Sequence, residues 1–226
     1  NEVERNTDLL NTFSGTLDNY SYKGRSVNID LVNKYSFTDN FQFITGFNYQ
    51  EHTNQTVTPF GEISKDDANF NTVDPYASVV YITNFGLSVN LGGRLNIHNV
   101  YGNNFVYDGN LAFSAISNEN ASLKLFTSYS TAFIAPSLYQ LYDGFSGNED
   151  LDPETNKTME FGFDLNYKSW LQFDAVYFNR NEENAIIYDN TNFVYANGSS
   201  DASGLEVNTR LKPNKFLALN LSYTYI

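Results

Sequence analysis

The chain has 226 residues, with 26 Asp and Glu against 13 Lys and Arg, a net charge of −13 and no cysteine. That acidity excludes the basic footprint that nucleic acid requires, and the missing thiols exclude a disulfide scaffold or a thiolate metal site while fitting an oxidising compartment. Charged residues make up only 17% and aromatics 16%, with 17 Tyr and 19 Phe, where a soluble domain carries about a quarter charged residues.

The Val, Ile, Tyr, Phe and Thr content favours strands over helices. No apolar run approaches the ~18 residues of a membrane helix, and the densest stops at Ala77 to Ile82. A β-barrel stays open, because its alternating spans are nearly invisible to hydropathy. The opening NEVERNTD is polar and carries no signal peptide, and the chain stops on LSYTYI without a closing turn. If the protein is exported, the chain reads as a fragment of a longer one, at both ends.

Before Ser26 the sequence reads as one strand from about Leu9 and a loop around Asn19 to Arg25. From Ser26 the alternation is clean. Val27, Ile29, Leu31, Tyr35 and Phe37 share one face, opposite Asn28, Asp30, Lys34 and Ser36. Phe41, Phe43, Phe47 and Tyr49 oppose Gln42, Asn48 and Gln50. Leu87 to Ile97, Leu123 to Phe133, Met159 to Tyr167, Leu205 to Leu211 and Leu217 to Tyr225 repeat the phrase. Period two held over about 9–12 residues predicts half-buried strands.

Short connections fall at Thr38–Asn40, Thr83–Gly86, Ser117–Ala121, Ser169–Trp170 and Pro213–Lys215. Long ones are predicted at Glu51–Asn69, Asn99–Asn104, Pro136–Glu154 and Asn181–Ser203. The count is about eleven antiparallel strands, with no linker or domain boundary.

A soluble sandwich hides its apolar face, whereas a membrane barrel shows it to lipid and keeps the polar face wet. Strand length, the segregation of short from long connections, and aromatics crowding the strand ends (Tyr35, Phe37, Phe41 and Phe43; Tyr167 and Trp170) favour the barrel. The fold class is all-β, an antiparallel transmembrane β-barrel.

Tyr129 to Phe163 is the most specific stretch. Ser130-Thr-Ala-Phe-Ile-Ala-Pro-Ser-Leu-Tyr-Gln-Leu-Tyr142 resembles the "tAfkAPsl.qLY" signature of TonB-dependent outer-membrane receptors, and Gly147-Asn-Glu-Asp-Leu-Asp-Pro-Glu154 their "GNpdLkPE" element. Val176 to Asn181 with Ala185 to Tyr188 resembles "yf.n...d.I.y". Asn197-Gly198 with Gly204-Leu-Glu206 resembles "N.g.a...G.E". Glu149 stands where the family has Pro, and Ser199 to Ser203 lacks the usual basic or apolar residues.

The spacing is most similar to the cobalamin transporter and catecholate-siderophore group. The resemblance implies about eleven strands of a roughly 22-stranded barrel, residues 1–226 being a partial barrel without plug or final strands. It implies outer-membrane localisation, coupling to TonB through the absent plug, and active transport rather than enzymic activity. The nutrient chelate would be a corrinoid first and a ferric siderophore second. The alternative is a non-transporting barrel whose loops bind glycan or protein, with or without a surface lipoprotein partner.

Pro136 ends a strand and Pro153 shapes the loop exit, so the motif shapes the rim, or Tyr139, Tyr142 and Asn148 touch ligand directly. His52 and His98 fall on the polar phase near the outer mouth. The implied haem-receptor histidine between the "FIAP" and "NEDL" elements is missing, which disfavours haem. Asp66, Asp67, Asp143, Asp150 and Asp152 are oxygen donors that either stay solvated or hold calcium, although no EF-hand spacing is present. Arg94, Lys124, Glu160, Asp164, Glu206 and Arg210 lie on polar faces, where charge is tolerated in a wet lumen or against a plug. No hydrolase constellation is present in the sequence.

Overall fold

Alternation this regular leaves the backbone one economical solution, a sheet in which each strand pairs with its sequence neighbours. The computed structural model describes residues 1–59 and 61–226. Its twelve strands are β1 (Glu2–Leu10), β2 (Leu17–Thr38), β3 (Phe41–Thr58), β4 (Gly61–Ile63), β5 (Asn69–Ile82), β6 (Leu87–His98), β7 (Gly102–Ser117), β8 (Ala121–Ile134), β9 (Glu154–Tyr167), β10 (Leu171–Asp189), β11 (Val194–Asn214) and β12 (Leu217–Tyr225). One short helix, α1 (Leu138–Tyr142), interrupts the series. The strands form a single antiparallel meander in chain order, except that the three-residue β4 hangs off β3.

The register keeps the two faces distinct. Leu125 pairs with Phe163 and Phe113, and Phe163 with Ala175. Between them, Lys124 pairs with Asp164 and Asp164 with Asp174. One face is therefore apolar and the other polar around the whole sheet. Ile29, Leu31, Leu91, Leu111, Leu125, Phe161, Leu205 and Leu221 remain exposed on the apolar face. The few buried apolar side chains (Ala68, Leu138, Leu141, Leu151 and Ala185) sit instead at the long-loop end. Among the described residues no second layer covers the sheet, and lipid supplies the apolar solvent this face requires.

Two aromatic bands mark the interfaces. At the short-turn end Phe37 and Phe41 stack at 5.5 Å, Phe41 meets Tyr81 at 6.4 Å, and Tyr167 meets Trp170 edge-on at 5.9 Å. At the other end Phe105, Tyr107 and Tyr129 form a ladder with 6.0 Å between successive rings.

On the polar face three of the aromatic side chains that break the alternation each lie on a glycine directly opposite. The pairs are Tyr76 on Gly46, Phe126 on Gly162 and Phe178 on Gly204. A glycine in a strand costs stability on its own, and the ring covering it restores contact.

The short turns stand where the sequence predicts them. Three of the long connections, Glu51–Asn69, Asn99–Asn104 and Asn181–Ser203, do not, and neither does the loop around Asn19 to Arg25. Residues predicted as loops at Asn19–Arg25, Glu51–Asn69 and Asn181–Ser203 mostly continue β2, β3, β10 and β11, and the last pair turns tightly between Asp189 and Val194. The 99–104 connection is a tight turn before Gly102, and the first strand begins at Glu2 rather than near Leu9. Phe60, inside the predicted 51–69 loop, lies outside the described residues. At about 3.3 Å per residue, the 22 residues of β2 extend far past a ~30 Å hydrocarbon layer, so these strands rise beyond it as paired ribbons. Among the described residues only the 135–153 segment is a long irregular connection.

Candidate functional site

The 135–153 segment is built from local rules. Pro136 has no N–H to give the ladder, so β8 stops, and the ring itself is fully buried. Ser137 and Gln140 form a capping box: the Ser137 hydroxyl accepts from the Gln140 N–H at 3.2 Å, and the Gln140 side-chain Oε1 accepts from the Ser137 N–H at 2.8 Å. Leu138 and Leu141 of α1 are buried, as is Leu151 on the return. The Asp143 carboxylate then closes the next turn, accepting from the Ser146 N–H at 3.0 Å and its hydroxyl at 2.7 Å. A Cβ at Gly147 would lie 2.6 Å from the Asp143 backbone, so only glycine fits there.

This segment is clasped to the β10–β11 hairpin. The Asn148 amide donates to the Tyr195 carbonyl at 2.9 Å, and Tyr195 N–H donates to the Ser146 carbonyl at 3.0 Å. Asn197 accepts from Asp152 N–H at 2.8 Å and donates to the carbonyls of Asp152 and Asn184 at 2.9 and 2.8 Å. Glu154 accepts from Ile186 N–H at 2.7 Å. Two motif-bearing stretches more than forty residues apart in sequence thus satisfy each other's polar groups.

A second tie comes from a column of rings. His52 stacks on Phe70 at 4.8 Å, Phe70 on His98 at 5.0 Å, and His98 meets Tyr101 at 5.0 Å. The Tyr101 hydroxyl donates to the Leu151 carbonyl at 3.3 Å. His98 Nδ1 accepts from the N–H groups of Val100 and Tyr101 at 3.1 and 3.3 Å, which leaves Nε2 to carry the proton, and Nε2 is buried with no partner among the described residues. His98 lies past the upper aromatic ladder, three register steps beyond Leu95–Phe105. Burial there holds its pKa below the ordinary histidine range. Burial also raises the phenols of Tyr101 and Tyr142, outside the span, aided by Asp152 for the first and by Glu149 and Asp67 for the second.

Of the residues singled out from sequence, the structure brings Tyr139, Tyr142, Asn148, Asp143, Asp150 and Asp152 onto one clasped segment. His98 lies beneath it, and His52, its imidazole 3.3 Å from Gln50, stands two rings away. Tyr139 is exposed and meets Tyr195 edge-on at 6.2 Å. Both ends of the Asn148 amide are engaged, its oxygen accepting from Asp150 N–H at 3.0 Å. The five aspartates are not gathered: Asp66 and Asp67 belong to the 64–68 turn, and among the described residues no three His, Asp or Glu side chains are placed to hold a metal.

On the polar face, Arg94 covers the Tyr76 ring at 5.0 Å. Asp164 pairs with Lys124 at 3.0 Å, and Glu160 accepts from Ser128 at 2.9 Å. Glu206 and Arg210 share that face on β11, opposite Val176 and Gln172. Phe70, Tyr101, Tyr195 and Asn197 were not singled out as site residues. For Asn197 the "N.g" resemblance was the available signal, while nothing in the sequence marks Tyr101 as a tie to Leu151.

A family model described as TonB dependent receptor-like, beta-barrel, matches residues 1–226. The vitamin B12 transporter BtuB of Vibrio cholerae serotype O1 is 26% identical over 202 residues, covering 88% of this chain and 31% of that protein. The chain therefore spans about a third of the length of the curated relatives it matches. Among solved structures, the siderophore receptor PirA from Pseudomonas aeruginosa aligns with a TM-score of 0.72 at 18% identity, over 99% of this chain and 47% of that one. The ferric enterobactin receptor PfeA of the same organism gives 0.73 at 16% identity, over 100% and 40%. The copper transporter OprC gives 0.74 at 12%, over 99% and 41%. Likenesses at this identity show the fold.

Proposed function

Because the chain belongs to the TonB-dependent receptor family, outer-membrane β-barrel proteins that are transporters rather than enzymes, we propose that it is the wall and rim of a receptor that imports a nutrient chelate. A corrinoid is the first choice, supported by the likeness to a protein named as a vitamin B12 transporter. A ferric siderophore is the second, supported by structural neighbours named as siderophore receptors. In this reading the apolar face meets lipid and the polar face lines a lumen filled by a plug, and TonB acts through that plug. Arg94, Glu160, Asp164, Glu206 and Arg210 face the plug, a wet polar surface where their charges cost little. Tyr139, Tyr142, His98 and His52 belong to the outer mouth that ligand meets first.

The observation that carries the proposal is the clasp: an irregular segment held by side-chain hydrogen bonds over one mouth of a polar-lined sheet. A passive wall needs no such rim, whereas a receptor needs loops positioned rigidly enough to recognise ligand. Deletion of the gene is expected to reduce uptake of labelled vitamin B12 or of a ferric chelate to background, with plasmid complementation restoring it. Undiminished uptake of every corrinoid and iron chelate would overturn the reading.

A further inference from the structure

Between the raised β2–β3–β4 corner and the tip of the 135–153 segment lies a cavity of about 460 Å³. Tyr20 and Tyr22 of β2, Ile63 of β4 and Phe145 form its apolar wall, and Glu62 and Asp143 supply its charge. Its size is within the range of about 300–1,000 Å³ typical of small-molecule sites. Phe145 is 79% exposed, with its ring 6.4 Å from that of Phe193, itself exposed. Neither ring contributes to a core. Both are presented at the mouth.

The charge that lines this wall has one sign, from Glu62 and Asp143. Among the described residues no lysine or arginine lines the cavity. Residues 135–153 carry Asp143, Glu149, Asp150 and Asp152 and no basic residue, and residues 184–198 carry Asp189 and none either. An anionic occupant would bring like charge against the Glu62 and Asp143 carboxylates that line the cavity, well inside the ~8 Å over which salt screens. A neutral ring gains apolar and stacking contact, and a cationic one gains attraction to both the ring faces and the carboxylates.

We infer that this cavity binds a ring-bearing part of the ligand that is uncharged or cationic, and that the receptor discriminates against polyanionic chelates. The inference rests on the receptor reading above and narrows its substrate class.

Binding to the full-length receptor in detergent, measured calorimetrically, tests it with neutral vitamin B12 and anionic ferric enterobactin as probes. Vitamin B12 is expected to bind the native receptor more tightly than ferric enterobactin does. Replacing two stacking rings, Tyr22→Ala with Phe145→Ala, weakens B12 binding about tenfold or more while melting is unchanged. Glu62→Gln, which removes the lining carboxylate that closes no turn, strengthens enterobactin binding. Asp143 is kept because its carboxylate closes the turn to Ser146.

Equal or tighter binding of ferric enterobactin by the native receptor overturns the inference. So does native B12 affinity in the Tyr22→Ala, Phe145→Ala variant, although the receptor reading then stands. Failure of the native receptor to bind either probe overturns the inference and counts against the receptor reading too.

Discussion

Gly162→Val abolishes assembly of the folded barrel, and Gly46→Val does the same. A Cβ at Gly162 would lie 2.5 Å from the Phe126 ring and 2.8 Å from the Ala175 carbonyl oxygen. The ring can swing aside, but the carbonyl belongs to the neighbouring strand and cannot move without breaking the ladder. At Gly46 the Cβ would strike the Tyr76 ring and approach the Leu31 carbonyl oxygen to 2.7 Å. Overpacking of this kind costs about 1–3 kcal/mol or more at one site, and valine adds two methyl groups to the colliding Cβ. Folded protein, read as the heat-modifiable band in outer-membrane fractions, is expected to vanish for both variants. Gly162→Ala combined with Phe126→Ala recovers part of the yield, because it removes the ring collision and leaves the carbonyl. Gly24→Ala is silent, since nothing lies within 4 Å of its Cβ position. Native yield for Gly162→Val would show that the ring-on-glycine pairs are dispensable.

Asn197→Ala frees the rim segment. It removes three hydrogen bonds at once, two of which hold Asp152 from both sides of its backbone. Losing groups that leave backbone polar atoms unpaired costs about 1–3 kcal/mol, and the cost falls on the segment rather than on the sheet. Amide exchange across residues 138–151 is expected to accelerate about five- to a hundredfold, with exchange in β8 and β9 unchanged. Asn148→Ala has a smaller effect in the same place, because Tyr195 N–H still donates to the Ser146 carbonyl. Unaltered protection in Asn197→Ala would mean that the Asn148–Tyr195 and Tyr195–Ser146 bonds, the Tyr101–Leu151 tie and the buried leucines hold the segment without Asn197.

The sequence displays the strands where each has one apolar face, as in Leu123 to Phe133. It hides them where neither face is apolar. Tyr20 to Arg25, Glu51 to Thr58 and Asn181 to Ser203 lie beyond the upper aromatic ladder, so nothing requires their side chains to alternate. Backbone pairing keeps them extended, from Lys23–Gln55 to Asn181–Asp201. Polar composition there resembles a loop, which is why the predicted long connections shrink to tight turns in the structure.

The rim was partly legible. Pro136, the capping box and Asn148 are local signals that sequence carries. The partners that give them meaning are not local: Tyr195 is 47 residues from Asn148, and Leu151 is 50 from Tyr101. The cavity was hidden for the same reason, since Tyr22, Ile63 and Phe145 meet only after the meander is folded.

The central claim is that one face of this sheet meets lipid and the other lines a wet lumen. The chain has no cysteine of its own, so single cysteines along β8, residues 121–134, can carry a spin label in the membrane-embedded receptor. Accessibility to oxygen, which concentrates in lipid, is expected to peak at Leu123, Leu125, Thr127 and Tyr129. Accessibility to a water-soluble nickel complex should peak at Lys124, Ser128 and Ser130, giving a period of two in opposite phase. Nickel accessibility at Leu125 together with oxygen accessibility at Ser128, or no alternation at all, would contradict the account.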